Sequence, residues 1–219
     1  MTTALAVFVK TPSLSPLKTR LAASIGQESA EKFYKLSLKS IENTIQSTDI
    51  MPFWAVAEHE ALHYPLWSKF KAMHTGEGDL GQRQHHIYDT LIHEHHKVLL
   101  IGADVPQITP PLIQKTIKAL DTHEFVMGPA RDGGYYLFGG TRSLSQEIWT
   151  SVPWSRNITR EKLESKLPSK PFHLPLLTDV DTQEDLIHLL EEMPKLPTLF
   201  QKKIIEWVTS LAQKTNTNI

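Results

Sequence analysis

The sequence predicts an α/β fold in which helices cover both faces of a mostly parallel, mixed sheet. Short apolar runs typical of buried strands alternate with segments whose apolar residues recur at helical spacing. Neither an internal repeat nor a change in composition marks a linker along the 219 residues. We therefore expect a single domain over residues 1–208, followed by a polar tail over residues 209–219.

The expected strands share short runs rich in β-branched, leucyl and aromatic residues. In order, they are residues 4–9, 53–57, 98–104, 125–128, 135–138 and 172–176. The expected helices share apolar side chains at every third or fourth position. They cover residues 28–46 and 82–95, a segment that begins at Thr109 with Pro110 in its first turn, and residues 182–191.

The composition excludes several classes of function. A formal net charge of -1 gives no general attraction to nucleic acid or an anionic membrane, so we expect neither partner. The absence of cysteine excludes disulfides, thiolate metal sites and a cysteine nucleophile. We find no signal peptide, no membrane-spanning run and no G-x-S-x-G motif of a hydrolase. These features are typical of a cytoplasmic protein.

Asp104 is the most informative residue, because it ends the apolar run of the strand expected over residues 98–104. Ligands of open α/β sheets bind just outside the carboxyl ends of the strands. A carboxylate at this position can hold a divalent cation against a phosphorylated substrate. The alternative is that Asp104 only caps the next helix.

Two cations flank a hydroxyl in the loop after the first strand, at Lys18, Thr19 and Arg20. Lysine offers a mobile point charge and arginine a bidentate fork, so these residues could clamp a phosphate. The G-x-x-x-x-G-K-[ST] pattern of a Walker loop is absent. A solvated basic turn is the competing interpretation.

Two glycine-rich turns are further candidates for substrate binding. In residues 76–83, Asp79 or Arg83 could contact a base or ribose, although Asp79 could equally begin a helix. In the second turn, Asp132 precedes paired glycines, and Tyr135 or Tyr136 could line the site. An ordinary tight turn explains the second pattern as well.

An acidic segment near the C-terminus has two interpretations. Asp181 or Thr182 could cap a helix that carries Asp185 in its first turn, where acidic residues are favourable. Alternatively, Asp179 or Asp181 supplies a second carboxylate beside Asp104. A hard cation such as Mg²⁺ is commonly held by one or two carboxylates together with substrate phosphates.

Histidines gather around the helix expected over residues 82–95. Five of the eleven lie at positions 85, 86, 93, 95 and 96, without an H-E-x-x-H motif. A solvated polar face is therefore favoured over a zinc site.

Five stretches, taken in order, resemble a bacterial family of transferases in the nucleotide-diphospho-sugar transferase superfamily, which has the glycosyltransferase-A fold. The family was long catalogued as a domain of unknown function, and some members are named as arsenosugar-biosynthesis glycosyltransferases. The matching stretches are residues 8–12 with 18–21, 78–83, 101–106, 128–136 and 179–186. Val152-Pro153-Trp154-Ser155 also fits the family.

The resemblance implies a Rossmann-like sheet, a nucleotide or nucleotide-sugar in the pocket of the first loop, and Mg²⁺ or Mn²⁺ on Asp104. Asp181 becomes the leading partner of Asp104 at the metal. Catalytic roles fall to Lys18 and Arg20 on the diphosphate and to Asp132 on the acceptor. The residues expected to bind nucleotide or substrate are Lys10, Thr19, Asp79, Arg83, Arg131, Gly133, Gly134 and Tyr135.

The sequence departs from the family pattern at two positions. Ala103 replaces a common serine, and Arg131 replaces a common acidic residue. Because Arg131 places a cation beside Asp132, it argues against a metal role for Asp132 and suggests an anionic acceptor.

Three functions remain open from the sequence. The favoured one is metal-dependent glycosyl transfer from a nucleotide-diphospho-sugar to a small-molecule acceptor, and the alternative is nucleotidyl transfer with release of pyrophosphate. A non-catalytic nucleotide-sensing module is the third. Phe200 and Trp207 are candidates for packing on a partner chain. A homodimer is therefore an alternative to a monomer.

Overall fold

The structure, a computed structural model, describes residues 2–216, and the side chains of residues 2–213. The strands of this part of the chain are β1 Thr3–Val9, β2 Met51–Val56, β3 Lys71–His74, β4 Lys97–Gly102, β5 Phe125–Pro129, β6 Tyr135–Gly140 and β7 Phe172–His173. The α-helices are α1 Thr19–Ile25, α2 Gln27–Gln46, α3 Leu80–Ile92, α4 Pro110–Ala119, α5 Gln146–Thr150, α6 Thr159–Glu164, α7 Asp185–Glu192 and α8 Leu199–Asn216. None of the helices described has an apolar stretch that could cross a membrane.

The strands form one mixed sheet in the order β3-β2-β1-β4-β6-β5-β7. Strand β6 runs antiparallel to β4 and β5, and the other neighbouring strands pair in parallel. The fold is therefore the single α/β domain with a mostly parallel mixed sheet that the alternation of strands and helices predicts. The order reverses at β1, because β2 lies on one side of it and β4 on the other. Crevices at such reversals are the usual ligand sites of open α/β sheets.

The core lies on both faces of the sheet, as the period-two pattern of β1 dictates. Leu5 and Val7 pack in one buried cluster with side chains of α2 and α4. Ala4 and Ala6 point to the opposite face and pack with side chains of α3 and α5. The helices thus cover both faces and leave the carboxyl ends of the central strands open.

A third buried cluster joins α1, α2, α7 and α8. In it, Trp207 is only 8% exposed and stacks on Phe33 with ring centroids 6.0 Å apart. Trp207 therefore packs within its own chain, and a homodimer stays a prediction. Helix α8 continues to Asn216, so the boundary expected after residue 208 falls inside a helix. Residues 217–219 of the expected tail lie outside the described residues.

Two helices begin after the capping residues that the sequence predicts. Asp79 caps α3 in a capping box with Gln82, and the Thr109 side chain accepts a hydrogen bond from the Leu112 amide. At α7, Asp181 is not the cap, but the expected role of Thr182 is confirmed, because Thr182 Oγ1 accepts a hydrogen bond from the Asp185 amide at 3.4 Å. The helix begins at Asp185, whose carboxylate accepts hydrogen bonds from the backbone amides of Asp181 and Thr182. The Asp181 carboxylate is left free for other contacts.

Candidate functional site at the ends of strands β1 and β4

A pocket of about 460 Å³ opens where β1 and β4 end. It is lined by the last residues of both strands, the loop before α1, the start of α3 and the side chain of Asp181. Of the site residues expected from the sequence, those that line it are Lys10, Lys18, Thr19, Arg20, Arg83, Asp104, Tyr135 and Asp181. Asp79, Arg131, Asp132, Gly133 and Gly134 are not among the lining residues.

Lys18 is the centre of the site. Its ammonium nitrogen lies 2.7 Å from Asp104 Oδ2, 2.5 Å from the Val180 carbonyl oxygen and 3.2 Å from Asp181 Oδ1. An ammonium group has three donors, so these three acceptors satisfy it. The side chain is 5% exposed, and the backbone takes the left-handed conformation (φ 46°, ψ 43°) immediately before α1. Lys18 thus fixes the positions of two carboxylates at the wall of the pocket.

Asp181 joins Lys18 to Arg20. Its second carboxylate oxygen accepts a hydrogen bond from Arg20 Nη2, so both of its oxygens are engaged. The Arg20 side chain is 69% exposed and has donors left over for a ligand. The cations of the first loop therefore divide into one buried and one exposed group.

Charge at the site is concentrated on buried carboxylates. Burial alone would lower the pKa of the Lys18 ammonium, but the charges of Asp104, Asp179 and Asp181 raise it above its ordinary value. Burial raises the pKa of Asp104, and Lys18 offsets this only in part. Burial and the nearby charge of Asp104 raise the pKa of Asp179 to about 8. The site therefore holds more carboxylates than its buried cation neutralises.

Two oxygens of these carboxylates have no hydrogen-bond partner. They are Asp104 Oδ1 and Asp179 Oδ1, and both are buried. Buried acceptors without partners are rare, because each loses its hydration without compensation. A divalent cation with oxygen ligands would fit such a donor set. In the described part of the chain, no three His, Asp or Glu residues form a complete metal cage, and this includes the histidines around α3.

Side chains far away in the sequence hold the first loop in place. The Tyr34 hydroxyl donates to the Lys10 carbonyl (2.8 Å) and accepts from the Lys10 amide (3.0 Å). Glu58 accepts hydrogen bonds from the Thr11 amide (2.8 Å) and from Ser15 Oγ. These anchors escaped sequence reasoning, since no local pattern links Tyr34 or Glu58 to the loop. The strand-end position of Glu58, just after β2, is the one signal that could have pointed to it.

The glycine-rich loop before α3 is held by Arg83. Its guanidinium donates to the Gly78 carbonyl (3.0 Å) and to Thr75 Oγ1 (2.7 Å), and it also lines the pocket. Gly78 has a φ of 96°, which favours glycine at this position. Asp79 serves as the helix cap and does not face the pocket.

Gln84 and Tyr135 form part of the pocket wall opposite the first loop. The Tyr135 hydroxyl donates to Gln84 Oε1, and the Tyr135 ring contacts the edge of Trp154. Burial raises the pKa of Tyr135, so its hydroxyl stays protonated as a donor. Gln84 was not expected from the sequence, because a lone glutamine on a helix gives no functional signal.

The Asp132 turn lies beside the pocket. Asp132 Oδ1 accepts a hydrogen bond from the Gly134 amide at 2.9 Å. The negative charge of Asp132 also contributes to the raised pKa of Asp179. Gly133 has a φ of 86°, and a Cβ atom there would lie 1.9 Å from the Asn157 carbonyl oxygen. The glycine is therefore required for this close approach of two loops.

Arg131 is directed away from Asp132. Its Nε donates to Glu192 Oε1 (3.0 Å) and Thr178 Oγ1 (3.1 Å). The same Glu192 carboxylate accepts from the Thr178 amide (2.7 Å) and from Gln107 Nε2 (3.0 Å). Glu192 thereby anchors the start of the segment that carries Asp179 and Asp181, and part of the Arg131 fork is already used.

Comparison with known proteins agrees with this fold. A structure described as a "putative nucleotide-diphospho-sugar transferase" from Desulfovibrio desulfuricans G20 is 23% identical, with a TM-score of 0.86 over 97% of this chain and 96% of that one. The 4-diphosphocytidyl-2C-methyl-D-erythritol synthase of Anaerococcus prevotii DSM 20548 is 14% identical, with a TM-score of 0.56 over 85% and 95%. Rv0371C of Mycobacterium tuberculosis H37Rv, in complex with manganese, is 13% identical, with a TM-score of 0.52 over 87% and 99%.

A search of curated protein sequences found no match. A family model described as "Uncharacterized protein conserved in bacteria (DUF2064)" matches residues 41–156, which is more than half of the chain. The matched region contains the glycine-rich loop before α3, Asp104 and the Asp132 turn. The chain therefore belongs to this bacterial family, as its ordered motifs indicate.

Proposed function

We propose that this protein is a transferase that binds a nucleotide-activated substrate in the pocket at the ends of β1 and β4. The observation that carries the proposal is the meeting of Lys18, Arg20, Asp104 and Asp181, which are up to 163 positions apart in the chain. Paired carboxylates next to basic side chains, at the reversal point of an α/β sheet, suit a diphosphate and its counter-cation. The cytoplasm is the proposed location, since a chain without cysteine needs no oxidising compartment.

The favoured reaction is glycosyl transfer from a nucleotide-diphospho-sugar. A bound Mg²⁺ or Mn²⁺ would neutralise charge on the departing diphosphate. Arg20 would reach the phosphate oxygens with the donors that Asp181 leaves unused, and Lys10 would add a second exposed cation. Lys18 would hold Asp104 and Asp181 in a fixed geometry.

Asp132 is the proposed base for the acceptor hydroxyl. The Gly134 amide holds one of its oxygens, and the other would accept the proton of a substrate hydroxyl beside the pocket. In the transfer step the hydroxyl oxygen forms the new bond to the sugar, the bond from the sugar to the diphosphate breaks, and Asp132 takes the proton.

Nucleotidyl transfer is the second candidate. The likeness of the fold to that of the diphosphocytidyl-methylerythritol synthase favours it. An acceptor phosphate would attack the α-phosphorus of a nucleoside triphosphate, and pyrophosphate would leave. The same pocket would serve, because both reactions need a cradle for two linked phosphates.

The two reactions differ in their products, which gives the decisive experiment. A thermal-shift panel of nucleotides and nucleotide-sugars with Mn²⁺ first identifies ligands that raise the melting temperature by mass action. The ligands found are then incubated with candidate acceptors. Release of nucleoside diphosphate from a nucleotide-sugar supports glycosyl transfer, whereas release of pyrophosphate supports nucleotidyl transfer.

The Asp104→Asn variant is the control for the assignment of the site. Under either reaction we expect it to fold and to lose most of its turnover. Binding without any turnover in the wild-type protein would instead indicate a nucleotide-sensing module. Full metal-dependent turnover by Asp104→Asn would contradict the proposed site.

A further inference from the structure

The carboxylate oxygens around Lys18 are not equivalent. Asp181 uses both of its oxygens, one on Lys18 and one on Arg20. Asp104 uses Oδ2 on Lys18, but its Oδ1 is buried without a partner. A cation would therefore meet an oxygen without a partner on Asp104, whereas on Asp181 it would share each oxygen with a bound cationic side chain.

Asp179 supplies a second open oxygen. Its Oδ1 is also buried without a partner, and its charge interacts with that of Asp104. The Val180 amide donates to the Asp104 carbonyl at 3.3 Å, so the segment that carries Asp179 runs directly beside Asp104. Buried oxygens of this kind are otherwise costly, because they are removed from water and receive no hydrogen bond.

We propose that Asp104 and Asp179 hold the divalent cation, while Asp181 keeps Lys18 and Arg20 in position for the anionic substrate. This inference rests on the proposed function, since it concerns the metal of the same site. The ion would bind on the Oδ1 side of Asp104, so the ion pair of Lys18 with Oδ2 stays intact. The remaining ligands would be water and substrate phosphate oxygens, as is usual for Mg²⁺.

The alternative arrangement pairs Asp104 with Asp181. There the metal would share the Asp181 oxygens with Lys18 and Arg20, and its positive charge would lie against both of these cations. It would also leave Asp179 Oδ1 without any partner. The arrangement with Asp179 satisfies both open oxygens and breaks no existing contact.

The test is a titration of the full chain with Mn²⁺ in the absence of nucleotide, followed by electron paramagnetic resonance and calorimetry. Asp104→Asn and Asp179→Asn should each weaken Mn²⁺ binding at least about tenfold, since even outer-shell changes at metal sites have effects of that size. Asp181→Asn should weaken Mn²⁺ binding distinctly less than either of these variants, because it removes a nearby negative charge and no ligand of the ion. A separate titration with inorganic pyrophosphate should show weaker binding by Asp181→Asn.

Circular dichroism establishes that each variant is folded, and Asp179→Ser provides a second substitution if Asp179→Asn does not fold. Loss of Mn²⁺ binding in Asp181→Asn with wild-type affinity in Asp179→Asn would overturn the inference. So would a wild-type protein that binds no Mn²⁺. Because these titrations need no turnover, they separate a failure of this inference from a failure of the proposed reaction.

Discussion

Lys18 and Asp104 form a partly buried ion pair in which Lys18 Nζ lies 2.7 Å from Asp104 Oδ2. The pair joins the loop after β1 to the end of β4, so it ties together the two strands at which the sheet order reverses. Removing the lysine would leave Asp104 and Asp181 facing each other without their shared cation. The stability of the domain and the geometry of its pocket are therefore linked through one side chain.

We expect Lys18→Met to lower the free energy of unfolding by about 3 kcal/mol, since breaking a buried ion pair leaves an uncompensated charge. Urea denaturation followed by fluorescence measures the change. Lys35→Met is the matched control, because Lys35 pairs with Glu31 at the surface and its side chain is 59% exposed. The control should change stability by less than about 0.5 kcal/mol. Equal losses in the two variants would contradict the central position of Lys18.

The raised pKa of Asp179 predicts a pH dependence of stability in the metal-free protein. Its ordinary value is 3.8 and its value in the folded chain is about 8, so the folded state favours the protonated carboxyl. Ionisation then opposes folding, and this group lowers stability progressively as the pH rises from about 4 to about 8. Asp179→Asn should therefore raise the melting temperature in EDTA more at about pH 8.5 than at about pH 5.

Asp49→Asn is the control for this pH dependence, because Asp49 is an exposed aspartate remote from the site. Its melting temperature should follow that of the wild-type protein at both pH values. A gain for Asp179→Asn that is the same at both pH values would show that the carboxyl is not held protonated by its surroundings.

Gly133→Ala tests the close approach of the Asp132 turn to the loop that contains Asn157. A Cβ atom at Gly133 would meet a backbone oxygen at 1.9 Å, and its φ of 86° is unfavourable for alanine. We expect a loss of about 3 kcal/mol or more. Gly26→Ala shares the positive φ (84°) but has no atom within 4 Å of the added carbon. It should cost only the backbone strain, about 1–3 kcal/mol, and less than Gly133→Ala in the same denaturation experiment.

Glu192→Gln tests the anchor of the segment that carries Asp179 and Asp181. Glu192 accepts hydrogen bonds from Arg131, Gln107 and Thr178, and its side chain is 11% exposed. Removing the charge should lower stability by about 2 kcal/mol and weaken Mn²⁺ binding, since the segment loses its fixed start. Glu191→Gln, at the 68% exposed neighbouring residue, should leave both quantities nearly unchanged. If Glu192→Gln changes neither stability nor Mn²⁺ binding, the segment is held by other contacts.

The sequence predicted those parts of the fold whose signals are local. Strand β4 was evident from its unbroken apolar run, and α3 from its spacing and from Asp79 at its start. Strand β3 was missed, because an edge strand of four partly exposed residues lacks both a long apolar run and a clear alternation. Helix α8 was missed, because its polar end hides the spacing of Ile204, Trp207 and Val208.

The site was predictable where motifs follow strands and not where contacts span long distances. Lys18, Asp104 and Asp181 stand in recognisable motifs, and they meet in the structure. Nothing in the sequence could say that Thr182 would cap α7 while Asp181 binds two cations, or that Lys18 would be buried and Arg20 exposed. Several polar groups lie close to one another at the site. Only the packed tertiary structure determines which of them pair by hydrogen bonds.

The antiparallel direction of β6 has a consequence for how this protein family can diversify. Because β6 begins at the edge where β4 and β5 end, the hairpin around Asp132 stands on the same rim as the loop of Lys18 but belongs to the other half of the sheet. Under the proposed function, insertions or substitutions in that hairpin would alter the choice of acceptor and leave the first loop untouched. The two recognition surfaces could then change separately during evolution, and relatives with the same donor would be expected to differ in their acceptors.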